Sequence, residues 1–245
     1  MDDKLQQIDT LLGELNQYRA NENYRITEPL EIEYTYDSNR IEGNTLTLHE
    51  TDMVVNKGIT IAGKGLREHL EAINHKEAID FIKDVAQKKE PISERVLLDI
   101  HAIVLHSIDK DNAGKYRRVP VIISGSKHIP PQPYLLQPKM DELFQWYEAN
   151  KDSMHPVVLA AQMHEKLVSV HPFIDGNGRT ARLVMNLILM QHGYPIANIK
   201  GDNETRRRYY ETLEEASSGD NSAFVEFIED VVIQSLTYYL KIIRG

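Results

Sequence analysis

The chain contains no cysteine. That absence removes disulfide frameworks, thiolate zinc sites and cysteine nucleophiles, and it suits a reducing cytosol, so a cytoplasmic location is expected. An excess of positive charge is also missing, since 37 acidic residues against 28 basic ones leave a formal charge of −9. Nonspecific nucleic-acid binding works through basic faces, so no nucleic-acid partner is expected. The one basic run, Arg206-Arg207-Arg208, turns by about 100° per residue on a helix and cannot line one face. Long apolar runs are lacking too. The longest, Leu183 to Met190, is short and broken by Asn186, whereas a membrane span needs roughly 20 apolar residues. The opening MDDKLQQIDT is acidic and polar, unlike the basic-then-apolar pattern of a signal peptide, so no membrane association is expected.

What is present is an ordinary globular composition, 41% apolar and 27% charged over 245 residues, enough to bury a core without staples. Leu66, Leu70, Ile73, Phe81, Ile82 and Val85 recur at helical spacing. So do Leu97, Ile100, Val104 and Ile108, after a candidate N-cap at Ser93. Thr47-Leu48-His49-Glu50 matches a capping box. Phe224, Phe227, Ile228, Val231, Leu236, Tyr239 and Leu240 form a broad amphipathic stripe. Val157 to Val170 and Leu183 to Met190 are apolar on nearly every face, which predicts central buried helices and an all-α fold. One stretch reads as β: Val119, Val121 and Ile123 alternate before Ser124-Gly125-Ser126. Pro120 cannot donate to a central ladder, so a small exposed β-hairpin is predicted there.

Between the two apolar helices lies His171-Pro172-Phe173-Ile174-Asp175-Gly176-Asn177-Gly178-Arg179-Thr180-Ala181-Arg182. Gly176 and Gly178 permit a tight turn and close approach by a ligand. The helix that follows, running to about His192 with Gly193 as its stop, would aim unpaired N–H groups at an anion. Arg179 and Arg182 share a face at i and i+3. Asp175 offers a hard oxygen to Mg²⁺, and His171 is able to act as a base near neutrality. A base, a metal carboxylate, an anion nest and two cations within one loop point to phosphoryl-type transfer. The run is no P-loop, because the required lysine is missing, and His164-Glu165 lacks the further histidine of a zincin.

This run resembles the signature of the Fic (Fido) family, His-x-Phe-x-Asp/Glu-Gly-Asn-Gly-Arg-x-x-Arg, at every fixed position, and the likeness extends over about residues 30–240. The resemblance implies a Fic-type helical domain with a β-hairpin flap and a protein adenylyltransferase activity. His171 would take the proton of a target Ser, Thr or Tyr hydroxyl as it attacks the α-phosphorus of ATP. Asp175 would hold Mg²⁺. Gly176, Asn177 and Gly178 would form the anion nest, Arg179 would support the phosphates and Arg182 would grip the γ-phosphate. Tyr209 and Tyr210 would contact the nucleotide, while Ser217 stands where many relatives carry Asn. The flap residues Val121, Ile122, Ile123 and His128 would dock an extended target segment through a free strand edge.

Upstream, Ser38-Asn39-Arg40-Ile41-Glu42-Gly43 resembles the family's inhibitory motif. Ser38 and Glu42 lie one helical turn apart, and Gly43 suits a helix end. The resemblance implies that Glu42 forms a buried pair with Arg182 in place of the γ-phosphate. Two segments follow from it: N-terminal helices over residues 1–60, with the inhibitory helix at about 33–43, and a Fic core over 61–245. ATP and a protein with an exposed hydroxyl are the implied partners, and a homodimer is implied at some level. Removal of AMP from the same target, and nucleotide sensing without chemistry, remain the alternatives.

Overall fold

A computed structural model describes residues 3–244. Residues 1, 2 and 245, at the outer ends of the two expected segments, lie outside the described residues. Among the described residues ten α-helices follow one another: α1 Asp3–Gln17, α2 Tyr24–Ile41, α3 Leu48–Lys57, α4 Leu66–Gln87, α5 Glu94–Val104, α6 Leu136–Asn150, α7 Pro156–Val170, α8 Asn177–Gln191, α9 Asn203–Ala216 and α10 Ser222–Arg244. Their ends obey the local chemistry. Thr47 and Glu50 cap α3 reciprocally, Ser93 accepts from the Val96 N–H at the start of α5, and Gly193, at φ +83°, follows the end of α8.

Helix α8 is the centre of the fold. Every residue from Arg179 to Leu189 is buried, and α7, α4, α5 and α2 all pack against it. A helix surrounded in this way has no solvent face, which is why its sequence shows no amphipathic stripe. Helix α10 closes the bundle by packing on α7, α9 and α1. The polar N-terminus hides one helix from a composition-based reading. Leu5, Ile8 and Leu15 of α1 are buried in the same core as α10, and each such burial contributes about 1.5–3 kcal/mol. None of the described helices is long and apolar enough to cross a membrane.

The predicted hairpin is not formed. No strand occurs among the described residues. Residues 118–129 run extended around a turn in which the Ser126 N–H donates to the Ile123 carbonyl, 3.2 Å. A ladder fails because the returning backbone donors are taken elsewhere. The Lys127 N–H goes to Glu214, 2.9 Å, and the His128 N–H to the Ser126 hydroxyl, 3.0 Å. Pro120, Pro130 and Pro131 have no N–H to give. The flap is therefore an extended strap held by side chains.

Candidate functional site

The apolar helix α7 ends at His171, which adopts a left-handed conformation (φ +48°, ψ +58°) as the helix C-cap. This turn leads into a loop that folds on itself. The Asn177 side chain accepts from the Phe173 N–H (3.0 Å) and donates to the Phe173 carbonyl (2.9 Å). Phe173 is fully buried and stacks on His101, with centroids 3.6 Å apart. The Gly114 N–H donates to Nδ1 of His101, so Nε2 carries the ring proton and donates to the Asp175 carbonyl at 2.9 Å. Burial holds His101 neutral, with its pKa pushed down to about 4. Gly176, at φ +79°, forms the N-cap of α8; a Cβ there would press on the His101 ring at 3.4 Å.

Asp175 reaches the mouth of this loop, with its side chain 40% exposed. It accepts from the Gly176 N–H at 2.6 Å, from Arg179 at 3.3 Å and from Arg67 of α4. Burial alone would raise its pKa, but Arg179, the Gly176 N–H and Arg67 hold it below the ordinary carboxylate value. Arg179 is 2% exposed; its Nη1 is ion-paired with Glu71 at 3.4 Å without hydrogen-bond geometry, and its Nε has no hydrogen-bond partner. A buried guanidinium with an unsatisfied Nε–H fits a phosphate oxygen as a further ligand. Among the described residues no cluster of three or more metal-ligating side chains exists. Asp175 alone offers the one carboxylate that Mg²⁺ takes when phosphate and water complete its shell; in this structure both its oxygens are held by Gly176, Arg179 and Arg67.

His171 is partly buried. Burial depresses its pKa, Arg117 and His128 act in the same direction, and the Val168 carbonyl and Glu42 oppose them. A neutral ring near pH 7 follows. Its Nδ1 is buried without a well-formed hydrogen bond, which leaves Nε2 as the ring nitrogen able to take a proton.

The upstream motif meets the loop here. Helix α2 ends with Glu42 as C-cap and Gly43 at φ +97°. Arg182, fully buried, donates Nε to the Ser38 hydroxyl at 3.0 Å, Nη2 to the Ser38 carbonyl at 2.9 Å and Nη2 to Glu42 at 2.7 Å. Burial disfavours its charge, but Glu42 outweighs that and raises its pKa. The pair is not buried on both sides, because the Glu42 side chain is 33% exposed. Its carboxylate lies over the first turn of α8, where a Cβ added to Gly178 would meet Glu42 Oε1 at 2.3 Å. The carboxylate thus sits where a helix N-terminus attracts an anion.

One expected nucleotide contact, Tyr209, is enclosed in the interior, and the Asn177 side chain serves the loop while its backbone stays free for the expected nest. Tyr209 is 1% exposed, and its hydroxyl accepts from Arg182 at 3.3 Å and lies 3.1 Å from His164 Nε2, so it supports the arginine from the interior. Asn177 spends its side chain on Phe173, leaving only its backbone for a ligand. Tyr210 is 42% exposed and holds the Ile41 carbonyl at 3.2 Å. In the flap, Ile122 is 90% exposed, Val121 and Ile123 are partly buried, and His128 bonds through Nε2 to the Ser169 carbonyl of α7, 2.7 Å. Sequence reasoning missed Arg67, Glu71, His101, Arg117 and Glu214. Each acts from a distant segment and carries no local pattern that marks it.

Comparisons with known proteins agree with this arrangement. A family description, Fic/DOC family, matches residues 91–189. The chain is 38% identical over 211 residues to "Protein adenylyltransferase Fic" of Nematostella vectensis, covering 85% of the chain and 48% of that protein. It therefore spans about half the length of that curated relative. A Fic domain-containing signaling protein from Bacteroides thetaiotaomicron superposes with a TM-score of 0.88 at 29% identity, over 98% of this chain and 97% of that one. Fic-1 from C. elegans superposes with a TM-score of 0.87 at 31% identity, over 98% of this chain and 72% of that one. On this likeness of sequence and fold, the chain belongs to the Fic family.

Proposed function

We propose that the chain transfers AMP from ATP to a Ser, Thr or Tyr hydroxyl of a protein target, and that Glu42 restrains the transfer. The observation that carries this reading is the Glu42 carboxylate lying against Gly178 while paired with Arg182. An anion site at the start of α8 is already in use, and the group using it belongs to the chain itself. The name of the Nematostella relative supports adenylyl transfer as the chemistry.

In this mechanism ATP lays its phosphates on the α8 N-terminus, with the backbone N–H groups of Asn177 and Gly178 and the side chain of Arg179 as donors, the Gly176 N–H being held by Asp175. The target oxygen attacks the α-phosphorus, its proton passes to Nε2 of His171, and the bond to pyrophosphate breaks. Neutral His171 is the competent form, which its depressed pKa favours. Mg²⁺ held by Asp175 would neutralise charge on the phosphate oxygens. The α8 dipole and the two arginines stabilise charge that develops on the leaving group. While Glu42 holds Arg182, the γ-phosphate lacks its cation and meets a carboxylate instead, so ATP binds in a pose unsuited to attack.

Mass spectrometry of a Glu42→Gly variant incubated with ATP and Mg²⁺ tests the reading. An AMP adduct on the chain or on added protein is expected. A bare phosphate adduct would mean kinase chemistry, and tight ATP binding with no adduct would mean a nucleotide sensor. A second reading is that Glu42 also directs water at an AMP-modified target, favoured by its partial exposure beside the loop. Loss of AMP release in the same variant would support it.

A further inference from the structure

Arg117 stands between α5 and the flap and is 3% exposed. Its guanidinium donates to three carbonyls: Nε to His171 at 2.9 Å, Nη1 to Val119 at 3.0 Å and Nη2 to Pro131 at 2.6 Å. Its own N–H donates to the Pro172 carbonyl at 2.9 Å. Among the described residues it has no ion-pair partner, so carbonyl dipoles are the compensation for burying this cation. Two of the acceptors, Val119 and Pro131, are the two ends of the extended flap. The others, His171 and Pro172, form the left-handed turn that presents the imidazole.

We infer that Arg117 is the positioning residue that closes the neck of the flap and locks it to His171, replacing the β-ladder that the flap does not form. The inference rests on the roles proposed above for His171 and the flap. A hairpin normally sets the distance between its two strands through paired backbone groups. Here that distance is set by the span of one planar guanidinium, whose donors point in three fixed directions. The flap's base and the turn bearing the proposed base thereby share one rigid node. A target segment seated on the flap would be held at a set distance from Nε2 of His171. The charge contributes separately from the fork. Arg117 and His128 both disfavour protonation of His171, while Glu42 of α2 and the Val168 carbonyl favour it. Lysine in place of Arg117 would keep the charge and lose the fork.

The test uses the full chain carrying Glu42→Gly, with Arg117→Lys or Arg117→Gln added. In both variants amide exchange across 118–131 should speed by roughly tenfold or more, as a locally opened segment would show. The kcat of AMP incorporation should fall by about tenfold to a hundredfold, the cost of misplacing reacting groups, while KM for ATP stays within about twofold because the α8 site is intact. Histidine NMR should show the His171 ring titrating at higher pH in Arg117→Gln and near the parent value in Arg117→Lys. Parent-like exchange and parent-like kcat in Arg117→Lys would overturn the inference. So would a loss in which kcat, ATP KM and melting temperature deteriorate together, since Arg117 would then serve only overall folding. If Arg117→Gln does not fold, Arg117→Lys alone decides. If the Glu42→Gly parent forms no adduct, the AMP-transfer reading fails, while exchange and titration still decide the role of Arg117.

Discussion

From the loop after α7 into the first turns of α8, Phe173, Asn177, Arg179 and Arg182 are all buried, and each has its place set by neighbours within this segment or by helices packed around it. In the flap, Val119, Ile122 and Ile129 are 51–90% exposed, and position is fixed at a few anchors: Arg117, Glu214 and the bond from His128 to Ser169. The first loop is preorganised by burial, whereas the second is an extended strap pinned at its ends. Chemistry that tolerates little displacement belongs on the first kind of loop, and recognition of varied extended segments suits the second.

The largest expected effect breaks the rigid side of this comparison. Replacing His171 by Ala in the Glu42→Gly chain should reduce AMP incorporation by about 10²–10⁴, the usual contribution of a general base. Calorimetry should show nucleotide binding retained, because the anion site is untouched. Asp175→Ala, or EDTA added to the parent, should remove most of the Mg²⁺-dependent rate. Undiminished turnover in chelator would contradict the metal role.

Glu42→Gly should raise incorporation by several-fold to roughly a hundredfold, and Arg182→Ala should cancel most of the gain. The corresponding coupling, about 0.5–3 kcal/mol, is measurable in a double-mutant cycle. Damage cannot mimic a gain that depends on one partner.

Two pH effects follow from the buried histidines. His171 is depressed below the ordinary value of about 6.5, chiefly by burial, so the rate should fall only below that pH. Glu42→Gly should move this limb to lower pH still, since Glu42 raises the pKa. For stability, His101 and His164 titrate at about 4 and about 3 in the folded chain, both through burial. The unfolded chain takes up protons near pH 6.5 while these two remain neutral. Stability should therefore be fully present above pH 6.5 and decline as the pH falls through 4 toward about 3, which thermal melts would record.

The smallest effect belongs to the strap. Ile122→Ala removes a side chain that is 90% exposed, so stability should change by less than about 0.5 kcal/mol. KM for a protein target should rise while KM for ATP does not.

What the sequence made legible follows the same division. The types and spacing of His171, Asp175, Gly176, Arg179 and Arg182 are what suggest the proposed chemistry, and all five lie where α7 passes into α8. Helices α3, α5, α7 and α8 are legible because their caps and apolar faces are local properties. The flap was read as a hairpin because Val119, Val121 and Ile123 alternate, but alternation does not reveal that Glu214, 87 residues beyond Lys127, captures a ladder donor. Tyr209 looked like a ligand contact because nothing in the sequence shows that Arg182 and His164 enclose its hydroxyl. Helix α1 was expected only among the N-terminal helices over 1–60 that the family resemblance implies; its own residues did not reveal its buried face, because the α10 surface that seats it lies at the other end of the chain.

Glu42 can also be regarded as a tethered ligand. Its carboxylate arrives on a helix fixed to the core: Arg206 and Tyr210 hold the Ile41 carbonyl, and Asp37 is held by Asn198 and the Gly201 N–H. A group delivered in this way has an effective concentration set by geometry alone. Diluting the protein would not weaken it, and raising ATP would displace it only to the extent that the γ-phosphate outcompetes a neighbour that never diffuses away. If Glu42 restrains the transfer as proposed, loosening the anchors of α2 would lower its effective concentration, and raising ATP would only compete against it.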